Sequence, residues 1–338
     1  MSDVNAADTL GLRGTYFDPL WRIRVELTPL ERELLRTPWV RRLQFIAHAG
    51  AVSIATTQTY SRLEHSLGVF ALTAHFTPHD EAARASALLH DVGHLALSHT
   101  FEGLRGMDHH ALGHDRIMSM DGLLRRHGLT GPQLIAIDDE VRHTGHRKPD
   151  EMLGIDHLDS FVRSGQANGR TITSPPLLLE KLRLTNGVVD TDVATARELI
   201  RLIVAEARAQ RSSVNVVCSA VLRSFTQTLI EAHDDQTVAT WADHEFWSVL
   251  LNDPTVGDSA ADFRRAPHEW KATQVAVDRA AQRPAASGIS FSITKSYLAL
   301  PTVNGAPPID LRDVTALADS LPLHFEIHRS GATREPTT

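Results

Sequence analysis

Histidine is concentrated in one third of this chain, and this clustering limits what the chain can fold into. Of the 19 histidines in 338 residues, 14 lie between His48 and His157. Residues 85–103, ASALLHDVGHLALSHTFEG, place His90 and Asp91 at the end of an apolar helical run, with two more histidines just beyond. A single histidine on an apolar face is usually a core residue, but imidazole and carboxylate groups together are typical ligands of divalent transition metals. The clustering therefore predicts a polar site that holds a metal ion.

Composition argues against several other classes of protein. The net charge of −7 argues against a nucleic-acid-binding protein, in which a basic face is expected. Cys218 is the single cysteine, which excludes internal disulfides and thiolate zinc clusters and fits a reducing compartment. The N-terminal residues lack the pattern of a signal peptide, and no stretch approaches the ~20 apolar residues of a membrane helix. We therefore expect a cytoplasmic protein without a membrane partner.

Hydrophobic periodicity predicts a mostly α fold. Helical patterns dominate residues 30–255, and Asn186-Gly187, flanked by apolar residues, predicts a small β hairpin within them. The stretches GISFSITKSYLAL and LPLHFEIHRS alternate apolar and polar residues, which predicts strands in the tail. Residues 278–288 have the composition of a linker. The predicted organisation is an N-terminal segment at 1–14, a helical core at 15–255, a smaller α+β region at 256–330 and a frayed tail at 331–338.

Local sequence patterns predict where several helices begin. Thr28, Pro29 and Glu31 form the pattern of a capping box with proline in the first turn. Pro38 is expected to divide the following helical run into two helices, because proline inside a helix removes a hydrogen bond and clashes with the preceding turn. Ser61 is expected to cap the next helix.

Four side chains are candidate metal ligands: His65, His90, Asp91 and Asp156. Neighbouring residues on a helix point ~100° apart, so His90 and Asp91 reach one ion only from the flank of their helix. His65 and Asp156 must then come from neighbouring helices. Two imidazoles and two carboxylates suit Mn, Fe, Co, Ni or Zn better than Ca or Mg, although Mg remains possible. Such a set leaves coordination positions open for water and substrate, as catalytic sites do.

Three motifs, in order along the chain, carry a family resemblance. YSRLEHSLGVF (60–70), LLHDVGHLALSHTFEG (88–103) and GIDHLDSFVRS (154–164) closely resemble those of the HD-domain phosphohydrolases. Within that superfamily they are most similar to the deoxynucleoside triphosphate triphosphohydrolase branch. The resemblance implies an HD-domain helical bundle, with His65, His90, Asp91 and Asp156 as the ligands of one divalent ion.

The resemblance also implies roles for the residues around the ion. His94 and His99 match two pocket histidines, and Arg62 matches an arginine that contacts phosphate. Glu102 stands where the family commonly has Asp, and His110 matches a histidine that pairs with that acid. The implied reaction is attack of a metal-activated water on phosphorus, with His99 as the proton donor to the leaving oxygen and His94 and Arg62 on phosphate oxygens. Members of the family commonly assemble, so a homo-oligomer is expected. We also expect Arg163 to be structural and His109 to lie on an exposed turn, from which it could flank the pocket.

The positions that contact the nucleoside in this family differ here. The family typically has Lys, Tyr and Asp where this chain has His157, Ser160 and Ser164, and Gln where it has His48. These four residues are therefore candidate substrate contacts of altered specificity. The resemblance implies a small phosphorylated substrate, such as a nucleotide or a (deoxy)nucleoside triphosphate, with the sugar and base recognised differently.

Two other functions remain open at this point. Extra histidines are what an HD-type oxygenase with two irons requires, and this chain is rich in them. A non-catalytic, nucleotide-binding regulatory protein that retains a structural metal is the other alternative.

Overall fold

The structure is a computed structural model that describes residues 14–143, 152–276, 288–308 and 311–330. Within these ranges the protein is mostly α-helical with small β-sheets, which confirms the predicted fold class. Almost all of the predicted N-terminal segment and linker, and the whole predicted frayed tail, lie outside the described residues, and the domain boundaries remain predictions. None of the described helices combines the length and the apolar character that crossing a bilayer requires.

A short antiparallel hairpin precedes the helices. Its strands are β1 (Thr15–Phe17) and β2 (Arg24–Glu26). The predicted capping box is present, because the Thr28 hydroxyl accepts from the backbone N–H of Glu31 and the Glu31 carboxylate accepts from that of Thr28. It begins α1 (Pro29–Leu34), and Thr37 caps α2 (Pro38–Arg42). Pro38 therefore begins a second helix, as predicted.

The next helices deliver most of the candidate site residues. Ser61 caps the first of them by accepting from the backbone N–H of Glu64, as predicted. The helices are α3 (Arg62–Phe76), α4 (Glu81–Leu89), α5 (His109–Ser119), α6 (Asp121–Arg126) and α7 (Gly131–His143). Residues 90–108, between α4 and α5, form turns and two short 3₁₀ segments. His90 and Asp91 therefore follow α4 directly instead of lying inside it.

The second half of the body contains the predicted hairpin. Asn186 and Gly187 have φ of +52° and +76°, the left-handed conformations that a two-residue hairpin turn requires. The elements are α8 (Ile155–Ala167), α9 (Pro175–Leu179), β3 (Arg183–Thr185), β4 (Val188–Thr191), α10 (Val193–Gln210) and α11 (Ser213–Ile230).

The remaining elements form a small sheet and four helices. They are α12 (Asp235–Thr240), α13 (Asp243–Leu251), α14 (Gly257–Arg265), β5 (Trp270–Val275), β6 (Ile289–Ile293), β7 (Thr302–Val303), α15 (Arg312–Asp319) and β8 (Leu323–Arg329). β8 lies between β5 and β6 and is antiparallel to both, whereas β7 pairs in parallel with β4. The alternating pattern predicts β6 and β8 but misses β5, where the alternation breaks at Gln274.

Two apolar clusters meet at the turn that contains the HD pair. The first cluster includes Phe70 of α3 and extends to Val92. The second includes Leu95, three residues later, and joins Val221 of α11 to Ile327 of the tail sheet. Because residues 92–95 pass from one core to the other, the polar side chains beside them lie at the boundary between two rigid packed regions.

Gly93 allows α5 to pack directly against this turn. A Cβ at this position would lie 1.8 Å from the carbonyl oxygen of His109 and 2.5 Å from the backbone nitrogen of Gly113. Both are backbone atoms, which cannot rotate away. This glycine does not end α4, because that helix already ends at Leu89. Gly93 instead permits the close approach that brings the start of α5 beside the HD pair.

We expect Gly93→Ala to lower the free energy of unfolding by about 2–3 kcal/mol, because the added methyl overpacks a contact made by backbone on both sides. Urea denaturation followed by circular dichroism measures this difference. Gly122→Ala is the matched control, since a Cβ there meets open space on the surface of α6. The control should be neutral or stabilising. Equal unfolding midpoints for Gly93→Ala and the unmodified protein would contradict the role of this contact.

Candidate metal centre

The four predicted ligands come together from three elements. His65 lies on α3, His90 and Asp91 follow α4, and Asp156 lies in the first turn of α8. Nε2 of His65 is 2.9 Å from Oδ1 of Asp156 and 4.0 Å from Oδ2 of Asp91. Nε2 of His90 is 3.6 Å from Oδ1 of Asp91 and 3.8 Å from Oδ1 of Asp156. The side chains that the sequence separates by more than 90 residues therefore face one small volume.

His90 has the orientation of a metal ligand. Its Nδ1 donates a hydrogen bond to the carbonyl of Ala87 at 2.8 Å, so a neutral ring carries its lone pair on Nε2. That nitrogen is buried and has no hydrogen-bond partner among the residues that the structure describes. An unpaired buried polar atom costs free energy unless something else satisfies it. A divalent cation would do so.

The donor set fits such a cation. Ligand atoms at 2.0–2.2 Å from one ion are roughly 3.0–3.5 Å from each other, close to the spacings observed here. The side chain of Asp156 is 51% exposed, whereas those of His65 and Asp91 are buried. The cluster therefore has a closed side and a solvent-facing side, from which a substrate can approach.

A buried carboxylate orients His65. Oδ2 of Asp159 accepts from Nδ1 of His65 at 2.8 Å, which directs Nε2 at the cluster. Oδ1 of Asp159 accepts from the indole N–H of Trp21 at 2.7 Å, and Arg163 donates to both oxygens. Such carboxylate–histidine pairs orient metal-binding imidazoles and raise their basicity. Arg163 is structural, as expected. The sequence analysis missed Asp159, although it lies one helical turn after Asp156.

Arg62, which was expected to contact phosphate, contacts the candidate metal ligand Asp91 instead. Its Nη1 is 3.0 Å from Oδ2 of Asp91, and its Nε donates to the Ser98 hydroxyl at 3.0 Å. Burial opposes ionisation of Asp91, but Arg62, with His90 and His94, holds the pKa of this carboxyl well below its usual range. In this structure the guanidinium keeps Asp91 ionised and fixes its position, so Arg62 is a positioning residue.

A second group of histidines lies next to the first. His94 is buried, with Nε2 3.0 Å from Oδ1 of Asp91. Its ring lies 4.8 Å from that of His99 and 4.4 Å from that of His109. Glu102 pairs with Nδ1 of His109 at 2.6 Å.

This pairing corrects two expectations. His110 was expected to pair with Glu102, and His109 was expected on an exposed turn. Instead His109, the first residue of α5, is half-buried in the cluster and pairs with Glu102, while His110 is exposed beside it. The two adjacent histidines differ by about 100° around α5, so the rotation of this helix, which packs closely on Gly93, determines which of them faces the acid.

The surroundings of His99 change its expected chemistry. Desolvation, then the charges of His94 and Arg62, hold its pKa well below the usual value. Desolvation and Arg62 likewise lower the pKa of His94 to about 3. The resemblance implied that His99 donates a proton to the leaving oxygen, but Glu102, the nearby acid, pairs with His109. Both rings are therefore neutral at neutral pH and do not hold a proton ready for transfer.

The candidate substrate contacts separate into two groups. His48 lies beside the metal cluster, with its ring stacked on Tyr60 and 4.7 Å from that of His65. His157 lies against Phe161, and Ser160 is half-buried on the same helix.

Ser164 lies away from this surface. It is 1% exposed, and its hydroxyl donates to Oε2 of Glu206 at 2.5 Å and lies 3.4 Å from Oε1 of Gln58. The expected substrate contact is therefore corrected: Ser164 belongs to a buried polar network that connects α8 to α10.

Two known proteins are similar to this chain in sequence. The metal-dependent phosphohydrolase cns2 of Cordyceps militaris is 27% identical over 247 residues, which are 66% of this chain and 68% of that protein. An uncharacterised protein of Methanocaldococcus jannaschii is 31% identical over 102 residues, which are 29% of this chain and 22% of that protein. No protein-family model matches the chain.

A solved structure shares the overall architecture. A phosphohydrolase from Bacteroides thetaiotaomicron superposes with a TM-score of 0.66, covering 93% of this chain and 99% of that one. The chain has the fold of that phosphohydrolase. At 15% identity the likeness concerns the fold alone, so the argument for chemistry rests on the side chains described above.

The stability of the metal-free protein should fall as pH rises from neutral. Burial disfavours a charged His65, but its hydrogen bonds to Asp156 and Asp159 outweigh that effect and raise its pKa to about 9. As pH rises, His65 releases its proton near pH 6.5 in the unfolded chain. In the folded protein it keeps this proton to a higher pH. The resulting stabilisation is fully present below about pH 6.5 and is lost as pH rises through about 9.

In the presence of a chelator, we expect the free energy of unfolding to decrease by about 2 kcal/mol between pH 6.5 and 8.5. Urea denaturation at the two pH values measures the change. Asp156→Asn removes one of the two carboxylates on His65 and should reduce the difference. A free energy of unfolding that rises over this interval, or a difference unchanged by Asp156→Asn, would contradict the assignment.

Proposed function

We propose that the protein is a metal-dependent phosphohydrolase of the HD type, whose divalent cation is held by His65, His90, Asp91 and Asp156. One observation carries the proposal: the buried Nε2 of His90, which has no hydrogen-bond partner among the described residues, faces two carboxylates and a second imidazole in one volume. The names of the related fungal protein and of the structurally similar bacterial protein support phosphate as the target.

The residues of the chain prepare this site for a cation and a phosphate ester. When bound there, a divalent ion lowers the pKa of a coordinated water and polarises a phosphoryl oxygen. Asp159 fixes the ring of His65, and the carbonyl of Ala87 fixes that of His90. Arg62 keeps Asp91 ionised. The exposed edge at Asp156 leaves room for the substrate.

The proposed substrate is a nucleotide or a (deoxy)nucleoside triphosphate. Aromatic rings beside the site support a ligand with a flat base: His48 stacks on Tyr60, and His157 lies 5.5 Å from Tyr297 as well as against Phe161. Imidazole is a weaker base than the amine of lysine, so His157 supplies less positive charge than the lysine that the resembling family has there. A substrate with fewer phosphates than a triphosphate is therefore compatible with this surface.

We expect the purified protein, loaded with Mn²⁺, to release phosphate, pyrophosphate or triphosphate from at least one member of a panel of nucleotides and nucleoside triphosphates. The double variant His90→Ala/Asp91→Ala should lose activity by more than about 100-fold, because it removes two ligands, and changes outside the ligand set already cost 10–100-fold. Ion chromatography of the products measures both effects.

The matched control is a second HD dipeptide at the other end of α4. His79 is exposed, and Asp80 caps the helix by accepting from the backbone N–H of Ala83. His79→Ala/Asp80→Ser keeps a capping hydroxyl and should retain full activity. Equal activity of the His90→Ala/Asp91→Ala variant would refute the proposal. Oxygen-dependent turnover of a substrate without phosphate release would support an oxygenase in its place.

A further inference from the structure

Asp243 is the first residue of α13, and its carboxylate reaches away from its own helix. Oδ1 accepts from the backbone N–H of Leu97 at 2.7 Å, and Oδ2 accepts from that of Ala47 at 2.8 Å. These two residues lie 146 and 196 positions away along the chain. The start of α13 is stabilised by Glu245, whose Oε2 accepts from the N–H of Ala242. The carboxylate of Asp243 therefore joins two segments that are distant from it in sequence.

One of these segments, residues 95–99, is a strained turn. Leu97 and Ser98 have φ of +50° and +54°, in the left-handed region where residues other than glycine are strained. Such a conformation persists only where the surrounding contacts determine it. The bond from Leu97 to Asp243 is one of these contacts. Gly50 provides another, because a Cβ there would lie 2.8 Å from the carbonyl oxygen of Leu97.

The other segment, residues 46–50, is joined to this turn a second time. The Ser98 hydroxyl donates to the carbonyl of Ala47 at 2.7 Å and accepts from Nε of Arg62 at 3.0 Å. Ala47 also pairs with Ser61, the residue that caps α3, in an isolated β-bridge. The two segments are thus held to each other and to the start of α3.

Each segment carries a histidine of the site. His48 lies in the first segment, with its ring 4.7 Å from that of the proposed ligand His65. His99 lies in the turn, with its ring 4.8 Å from that of His94. None of the four proposed metal ligands belongs to either segment. The relative position of these two histidines can therefore change without the loss of a ligand.

We infer that Asp243 is a positioning residue for the phosphohydrolase reaction proposed above, on which this inference rests: its carboxylate fixes His48 and His99 relative to each other beside the metal centre. Groups that contact a substrate must be held to within a fraction of an ångström. A displacement of 1 Å by a change remote from the chemistry costs about 100-fold in rate. The two N–H groups use different oxygens of Asp243, so a side chain with one acceptor oxygen retains only one of the two bonds.

Asp243→Asn tests this role with a side chain of the same size. The substrate is the nucleotide that the unmodified, Mn²⁺-loaded protein hydrolyses fastest, and the assay runs well below the unfolding midpoint of the variant. We expect kcat/KM to fall about 100-fold. The Mn²⁺ bound per chain after desalting, measured by inductively coupled plasma mass spectrometry, should equal that of the unmodified protein. A purely structural role would lower the unfolding midpoint and leave kcat/KM of the folded protein unchanged.

Hydrogen exchange followed by mass spectrometry tests the contacts without reference to activity. In Asp243→Asn, peptides that cover residues 46–50 or 95–99 should exchange faster than in the unmodified protein, because a backbone N–H loses its acceptor. Peptides from α10 should exchange at an unchanged rate.

Asp253→Asn is the matched control. A single oxygen, Oδ1 of Asp253, accepts from the backbone N–H groups of Thr255 and Val256 at 2.8 and 3.0 Å. Asparagine keeps that oxygen, so this variant should retain both kcat/KM and the exchange rates. Ser98→Ala is a second test, since it removes the other bond between the two segments and leaves those of Asp243 in place. It should lower kcat/KM less than Asp243→Asn does, with Mn²⁺ retained.

Several results would overturn this role of Asp243. Exchange at residues 46–50 and 95–99 that is unchanged in Asp243→Asn would show that the carboxylate does not hold these segments. Faster exchange with unchanged kcat/KM would leave Asp243 a purely structural residue, and loss of bound Mn²⁺ would assign its effect to the metal. An unmodified protein that releases no phosphate from any nucleotide would instead refute the proposed function, and the exchange rates alone would then decide whether Asp243 fixes the two segments.

Discussion

The buried carboxylate of Asp159 is the interaction on which the site depends. It is completely buried, and it joins Trp21 near the first hairpin, His65 of α3 and Arg163 of α8. A buried charge is tolerated only when it is paired and its acceptor positions are filled, and here both oxygens accept bonds. Gly68 makes the contact possible, because a Cβ there would lie 2.1–2.2 Å from the side chains of Arg163 and Asp159. The helix that carries His65 is thus held against the helix that carries Asp156 by one ionic network.

The HD pair needs a different kind of constraint, since it lies in a turn. His90 and Asp91 follow the last residue of α4, and the chain then passes from the first apolar cluster to the second between Val92 and Leu95. Packing on both sides limits the motion of this turn, and the contact between Gly93 and α5 limits it further. A catalytic or metal-binding group must be held to within a fraction of an ångström, and a turn held between two cores meets that requirement. The boundary between two packed regions is also where an opening to solvent remains, at Asp156.

The sequence predicts the parts of this structure that local patterns determine. The structure contains the predicted caps at Thr28 and Ser61 and the predicted turn at Asn186-Gly187. These features were predictable because each is a contact between residues within a few positions of each other. The convergence of His65, His90, Asp91 and Asp156 was predictable because their motifs occur together and in order. Three other contacts were not predictable from the sequence. They are the pairing of Glu102 with His109, the ion pair of Arg62 with Asp91 and the contact of buried Ser164 with Glu206. Each depends on the rotation of packed segments against each other, and a rotation of about 100° would exchange adjacent helical residues such as His109 and His110.

The tautomers of the histidines decide what the pocket can bind. In His65, His90 and His109, Nδ1 is occupied by Asp159, by the Ala87 carbonyl and by Glu102 respectively. In a neutral ring the acceptor fixes the proton on Nδ1 and leaves the lone pair of Nε2 available, and such lone pairs favour cations over anions. The positive charge that the proposed phosphate ester needs would then be supplied through bound metal. Arg62 is already paired with a carboxylate and the chain has a net charge of −7, so the proposed binding of phosphate depends on metal occupancy instead of on this basic side chain.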